Sequence, residues 1–131
     1  MDIFEQFQQL TVTLGVMALL MLIQIVMADV LGILAKHVPG TPIDANHDSL
    51  LFRANRTVAN TNESIAVFIL AVIFCVLAGA SPVHTAYAAS GFVVSRVLYA
   101  IFYYANWQLL RSVVFGVSLL FLFALLLVGM L

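Results

Sequence analysis

Charge is what this sequence has least of. Its 131 residues include five Lys or Arg and six Asp or Glu, 8% of the chain, where soluble domains carry about a quarter. So few polar groups cannot cover the surface of a soluble core. Cys75 is the lone cysteine, which excludes a disulfide framework within the chain. No cation precedes Lys36 and the net charge is −1, so there is no surface to neutralise the phosphates of a nucleic acid. What is present is apolar: 64% of residues are hydrophobic and the mean hydropathy is +1.14. That excludes disorder and leaves an integral membrane protein with a lipid bilayer as its partner.

A helix needs roughly 20 apolar residues to cross the hydrocarbon layer. Four such stretches fit, and together they predict an all-α four-helix bundle as a single domain over residues 1–131. The helices are expected at about 10–35, 49–80, 83–105 and 111–131. The runs are continuously apolar without alternation of period two, which argues against a barrel. The leading segment carries Asp2 and Glu5 but no cation, and the run behind it is too long for a signal peptide, so the first helix is expected to stay. Breakers mark the joints: Pro39-Gly40-Thr41-Pro42 after the first helix and Gly79-Ala80-Ser81-Pro82 after the second. Asp48 or Ser49 can cap the second helix. Lys36, Arg53, Arg56 and Arg111 flank the first loop and the last joint. The positive-inside rule then puts those two loops in the cytoplasm and both termini outside. The short chain and compact loops suit a bacterial inner membrane.

The second helix is longer than a span requires, at about 30 residues or roughly 45 Å. Its extra length carries Arg53, Arg56, Asn60 and Glu63, which fall within an arc of about 80°. On the third helix Arg96, Tyr99, Tyr103 and Asn106 repeat the same offsets and the same arc. Counted from the outer joint, Glu63 and Tyr99 each lie roughly 24 Å deep and Arg96 roughly 20 Å. Both stripes therefore meet at one level, and Glu63 is the natural partner of Arg96. A cation at that depth must be paired, snorkel or line a wet cavity. With Arg111, the pocket holds more cations than carboxylates. Arginine forks bind carboxylates bidentately, so a zwitterionic or polyanionic peptide-like ligand fits.

These residues resemble the MAPEG family, the membrane-associated proteins in eicosanoid and glutathione metabolism. The resemblance rests on Arg53-x-x-Arg56-x-x-x-Asn60-x-x-Glu63 and on Arg96-x-x-Tyr99-x-x-x-Tyr103 followed by Arg111. The two tyrosines are similar to those of the family's leukotriene C4 synthase branch, and Arg111-Ser112 to its microsomal prostaglandin E synthase branch. The resemblance implies a homotrimer with glutathione, as thiol cosubstrate, bound between neighbouring subunits on the cytoplasmic side. It implies that Arg53, Arg56, Asn60, Glu63, Arg96, Tyr99 and Tyr103 hold the tripeptide. Lys36 is a further binding candidate, as it stands nearest to the arginine that relatives place at the end of the first helix for the neighbouring subunit's ligand. Arg111 would face the sulfur, with Ser112 and Tyr99 as the other catalytic candidates. The implied activity is that of a transferase or peroxidase acting on lipophilic electrophiles or hydroperoxides.

Two alternatives belong to other classes. One is a non-catalytic lipid-binding or scaffold protein of the same fold. The other is a small four-helix transporter that uses Asp29, a carboxylate inside the first helix, as its coupling site; the plainer reading of Asp29 is an interfacial aspartate near the cytoplasmic end that pairs with Lys36 or a neighbouring helix. Gln24 is expected to hydrogen-bond between helices within the trimer. Cys75, deep in an apolar run, reads as inert. Asp44, His47 and Asp48 have no spacing diagnostic of a metal site and read as capping and solvated groups.

Overall fold

In the computed structural model, which describes residues 2–131, the chain folds as five helices with no strand among the described residues. They are α1 (Ile3–Gln6), α2 (Gln8–Leu34), α3 (Leu50–Leu77), α4 (Pro82–Tyr104) and α5 (Gln108–Met130). The last four are long and apolar enough to cross a membrane. The addition to the expected set is α1, a single turn that breaks at Phe7 (φ −104°, ψ 20°) before α2 begins. Met1 of the expected domain lies outside the described residues.

The joints show why the helices stop where they do. After α2, the Lys36 amide donates to Ile33 and the His37 amide to Gly32. After α3, Gly79 and Ala80 donate to Val76 and Cys75; after α4, Asn106 and Trp107 donate to Tyr103 and Phe102. Each pair is a Schellman closure, which satisfies carbonyls that would otherwise be orphaned at a helix end. The closing residue must be left-handed, with φ of 55° at Lys36, 69° at Gly79 and 62° at Asn106. Helix starts are capped by hydroxyls: Ser49 Oγ accepts from the Phe52 amide at 3.3 Å and Ser81 Oγ from the His84 amide at 3.4 Å. Pro82 occupies the first turn of α4, where its missing N–H costs nothing.

α4 is the buried centre of the bundle and packs most extensively on α5. Ala86, Ala88, Ala89 and Gly91 line it with small side chains, which lets helices approach closely in a membrane. The Phe121 ring lies directly over Gly91. Phe68 of α3 stacks on Phe92 of α4 with ring centroids 4.5 Å apart. Thr13 and Ser90 share a hydroxyl hydrogen bond of 3.0 Å that ties α2 to α4. Gln24 is buried within this bundle, and its Nε2 has no hydrogen-bond partner among the described residues of the single chain. The Cys75 thiol, also buried, donates to the Leu125 carbonyl at 3.1 Å. All five cations lie in the half of the bundle that carries the 35–49 loop and the α4–α5 joint.

Candidate functional site

At that end, α3, α4 and α5 surround a cavity of about 230 Å³. Arg56 and Asn60 come from α3, Tyr99 and Tyr103 from α4, and Arg111, Ser112 and Phe115 from α5. The helical repeat explains the convergence, because residues three or four apart lie one above the other on one face. Arg56 and Asn60 are one turn apart, as are Tyr99 and Tyr103, and Arg111 and Phe115. Arg56 and Ser112 are exposed, while Tyr99 and Tyr103 are buried. The lining holds two cations and no carboxylate.

Aromatic rings hold the guanidinium groups. Arg96 Cζ sits 4.3 Å from the centre of the Tyr99 ring, and Arg111 Cζ sits 4.3 Å from that of Tyr103. The two tyrosines meet edge to face at 5.6 Å, and Phe115 lies 6.1 Å from Tyr99. The result is a ladder of cation, ring, ring and cation. A ring face attracts a cation through its quadrupole. It takes up none of the N–H donors and cancels no charge. The arrangement therefore keeps positive potential available beside the cavity.

Arg96 is fully buried, about 12 Å from the end of α4. Its Nη2 donates to Asn60 Oδ1 at 2.7 Å and to Thr61 Oγ1 at 3.2 Å. Its Nε and Nη1 have no partner among the described residues. The expected pairing with Glu63 is not formed. Arg96 reaches α3 between Asn60 and Thr61, a direction about 110° around the helix from Glu63. Glu63 is exposed instead. With Ser64, Val67 and Leu122 it lines an adjoining groove of about 330 Å³, which shares Asn60 and Phe115 with the cavity.

Two further candidates stand apart from the cavity. Arg53 Nη1 donates to the His47 carbonyl at 2.7 Å and Nη2 to the Tyr104 carbonyl at 3.2 Å. It sits on the first turn of α3, beside the C-terminus of α4, whose orphan carbonyls and dipole attract a cation. Lys36 is exposed in the turn that closes α2 and does not line the cavity. Ser112 Oγ donates to the Gln108 carbonyl at 3.0 Å, so its lone pairs face outward as acceptors.

Three residues enter that spacing alone did not single out. Phe115 lies one turn beyond Arg111 and so shares its face. Thr61 is the second acceptor for Arg96. His47, in the long loop, places Nε2 3.4 Å from the Tyr103 hydroxyl and stacks on that ring at 6.2 Å. Only the one-turn offset of Phe115 was a usable signal in the sequence. The other two contacts depend on how a loop or a neighbouring helix docks.

A family model described as the MAPEG family matches residues 10–131. No curated protein and no solved structure matches the chain.

Proposed function

The chain belongs to the MAPEG family, and from that premise we propose that it is a membrane-bound, glutathione-dependent transferase or peroxidase. One observation carries the reading: a cavity lined by Arg56 and Arg111 without a carboxylate, with Tyr99 and Tyr103 set edge to face and each facing an arginine. Such a site favours an anion over its neutral conjugate acid. In this reading Arg56, Asn60 and Glu63 bind the tripeptide backbone, with Glu63 nearest its amino group. Tyr99 and Tyr103 flank the peptide, and Arg111 and Ser112 face the sulfur. A free thiol has a pKa near ~8.5, and a neighbouring cation lowers it. The thiolate attacks an electrophilic carbon, forming an S–C bond while the electron pair leaves to the displaced group. With a hydroperoxide, two thiols supply two electrons and two protons, giving an alcohol, water and the disulfide.

The second substrate is proposed to arrive along the adjoining groove, whose walls include Val67, Leu119, Leu122 and Phe123. Those walls suit a lipophilic molecule entering from the bilayer. The assembly is proposed as a homotrimer with the ligand between subunits and the cation-bearing end in the cytoplasm. Arg56 and Glu63 support a covering partner, because both are exposed on the flank of membrane-length α3. Charges left there against lipid cost several kcal/mol. The inner membrane of a bacterium is the proposed location.

The experiment is a thiol-conjugation assay with a generic lipophilic electrophile and glutathione. Each unit of thiol pKa corresponds to about 1.4 kcal/mol, so Arg111→Ala is expected to lower turnover at least tenfold. Unchanged turnover in that variant would remove Arg111 from the sulfur. A thermal shift with glutathione separates the enzyme from a scaffold of the same fold, which would show none.

A further inference from the structure

Asp29 is the carboxylate on a membrane-length helix that the thiol site does not use. It lies on α2, five residues before the helix ends at Leu34, or about 8 Å along the axis. Its carboxylate is exposed, and no described residue hydrogen-bonds to it. A carboxylate on a membrane-length helix with no partner among the described residues is costly unless it meets a counter-charge or a wet cavity. Asp29 lines such a cavity, of about 490 Å³, between α2, the following loop and the start of α3. That is about twice the volume of the thiol cavity and falls within the roughly 300–1,000 Å³ usual for small-molecule sites.

The wall chemistry narrows what fits. Its polar side chains besides Asp29 are His37, Thr41 and Asn55. These already have partners within the chain. His37 Nε2 lies 3.3 Å from the Pro42 carbonyl and 3.2 Å from Thr41 Oγ1. Thr41 Oγ1 donates to the Val38 carbonyl at 2.6 Å, and Asn55 Nδ2 to the Leu51 carbonyl at 3.0 Å. Asp29 is therefore the uncommitted charge, and Ile33, Ile43 and Leu51 supply apolar surface beside it. No Lys or Arg lines the cavity, so a phospholipid head group would leave its phosphate without a counter-charge. The cavity is also separate from the thiol site. Leu51 and Asn55 face about 140° away from Arg56 and Asn60 around α3.

We propose that this cavity binds a single-chain amphiphilic amine from the bilayer. Its ammonium group sits on the Asp29 carboxylate and its hydrocarbon chain lies along Ile33, Ile43 and Leu51.

The test measures thermal unfolding of the full chain in phosphatidylcholine nanodiscs with dodecylammonium, dodecanol or dodecanoate. The wild type is expected to rise by several degrees with dodecylammonium and not with the other two. Asp29→Asn should lose that rise, and Asp29→Glu should keep most of it. The unfolding temperature of each variant without amphiphile shows that it folds. An equal rise in Asp29→Asn, or an equal rise with dodecanol or dodecanoate, would overturn the proposal. No thiol takes part in the measurement, so its outcome does not depend on the glutathione reading.

Discussion

Replacing Arg96 by methionine tests how the site is held together, because its effects on fold and on ligand should separate. Arg96 is fully buried, and two of its nitrogens have no partner among the described residues. Removing a buried ion recovers a desolvation penalty of several kcal/mol, as hydrophobic replacements of buried ions often show. Against this stand the two hydrogen bonds from Nη2, at about 1.5–3 kcal/mol each for a charged donor. The contact with the Tyr99 ring adds about 2 kcal/mol for a desolvated pair. These terms nearly cancel. Arg96→Met should change the stability of the fold by no more than about 2 kcal/mol in either direction.

The ligand should respond differently. A guanidinium group has donors and no acceptor. The 2.7 Å bond from Arg96 therefore turns Asn60 Oδ1 inward and leaves Nδ2 as the atom available to the cavity. Losing the bond releases the amide to rotate and removes a cation from behind the site. If the orienting bond of about 1.5–3 kcal/mol is what the ligand feels, glutathione affinity falls roughly ten- to a hundredfold at 1.4 kcal/mol per decade. Calorimetry with glutathione and thermal unfolding, run on one detergent preparation, read both quantities. Unchanged affinity, or a fold destabilised by more than about 3 kcal/mol, would refute the reasoning. Asn60→Asp is the control. It gives Arg96 a counter-ion and should stabilise the fold, but it offers the cavity an acceptor in place of a donor and should also weaken glutathione binding.

Two smaller tests address the scaffold. Gly91→Ala should destabilise the bundle by about 1–3 kcal/mol, because a Cβ there runs into the Phe121 ring; thermal unfolding reads it, and a second change, Phe121→Leu, should restore part of the loss. Lys36→Gly should raise the unfolding temperature, since left-handed backbone costs a non-glycine residue about 1–2 kcal/mol at a position where φ is 55°; an unfolding temperature below wild type would show that the lysine side chain contributes more than the strain costs.

The spans were legible because membrane helices announce themselves by length and hydropathy. Ser49 and Pro82 were legible as helix starts for reasons of local chemistry. The stripes were legible as stripes: the spacing of Arg56 and Asn60, and of Tyr99 and Tyr103, fixes a face on each helix. Spacing does not fix how two faces turn toward each other. Depth arithmetic put Arg96 level with Glu63, but depth is one coordinate and azimuth is another, and the guanidinium group meets Asn60 and Thr61. Arg53 belongs to the same arc as Arg56, yet the carbonyls at the end of α4 are closer to it than the cavity is. The closure of α2 was hidden because a lysine stands where glycine usually marks a helix end. Gln24 shows the same limit, since its burial within the bundle follows from packing and not from spacing.

A membrane site can hold an arginine in two ways. A carboxylate beside it relieves the desolvation cost and cancels the charge. An aromatic face relieves less of the cost and leaves the charge in place. This chain uses rings at both Arg96 and Arg111, and its nearest membrane carboxylate, Glu63, is turned toward the adjoining groove. The fold therefore carries a buried cation with two nitrogens that have no partner among the described residues, an arrangement that adds little net stability. The positive potential that results acts where Tyr99, Tyr103 and Asn60 converge, and it favours whatever bound group can become an anion. A thiol is such a group near neutral pH, since a modest downward shift of its pKa changes it from mostly protonated to mostly ionised. The ladder links the two levels: the rings that make the arginines tolerable in the bundle also leave their charge available at the cavity.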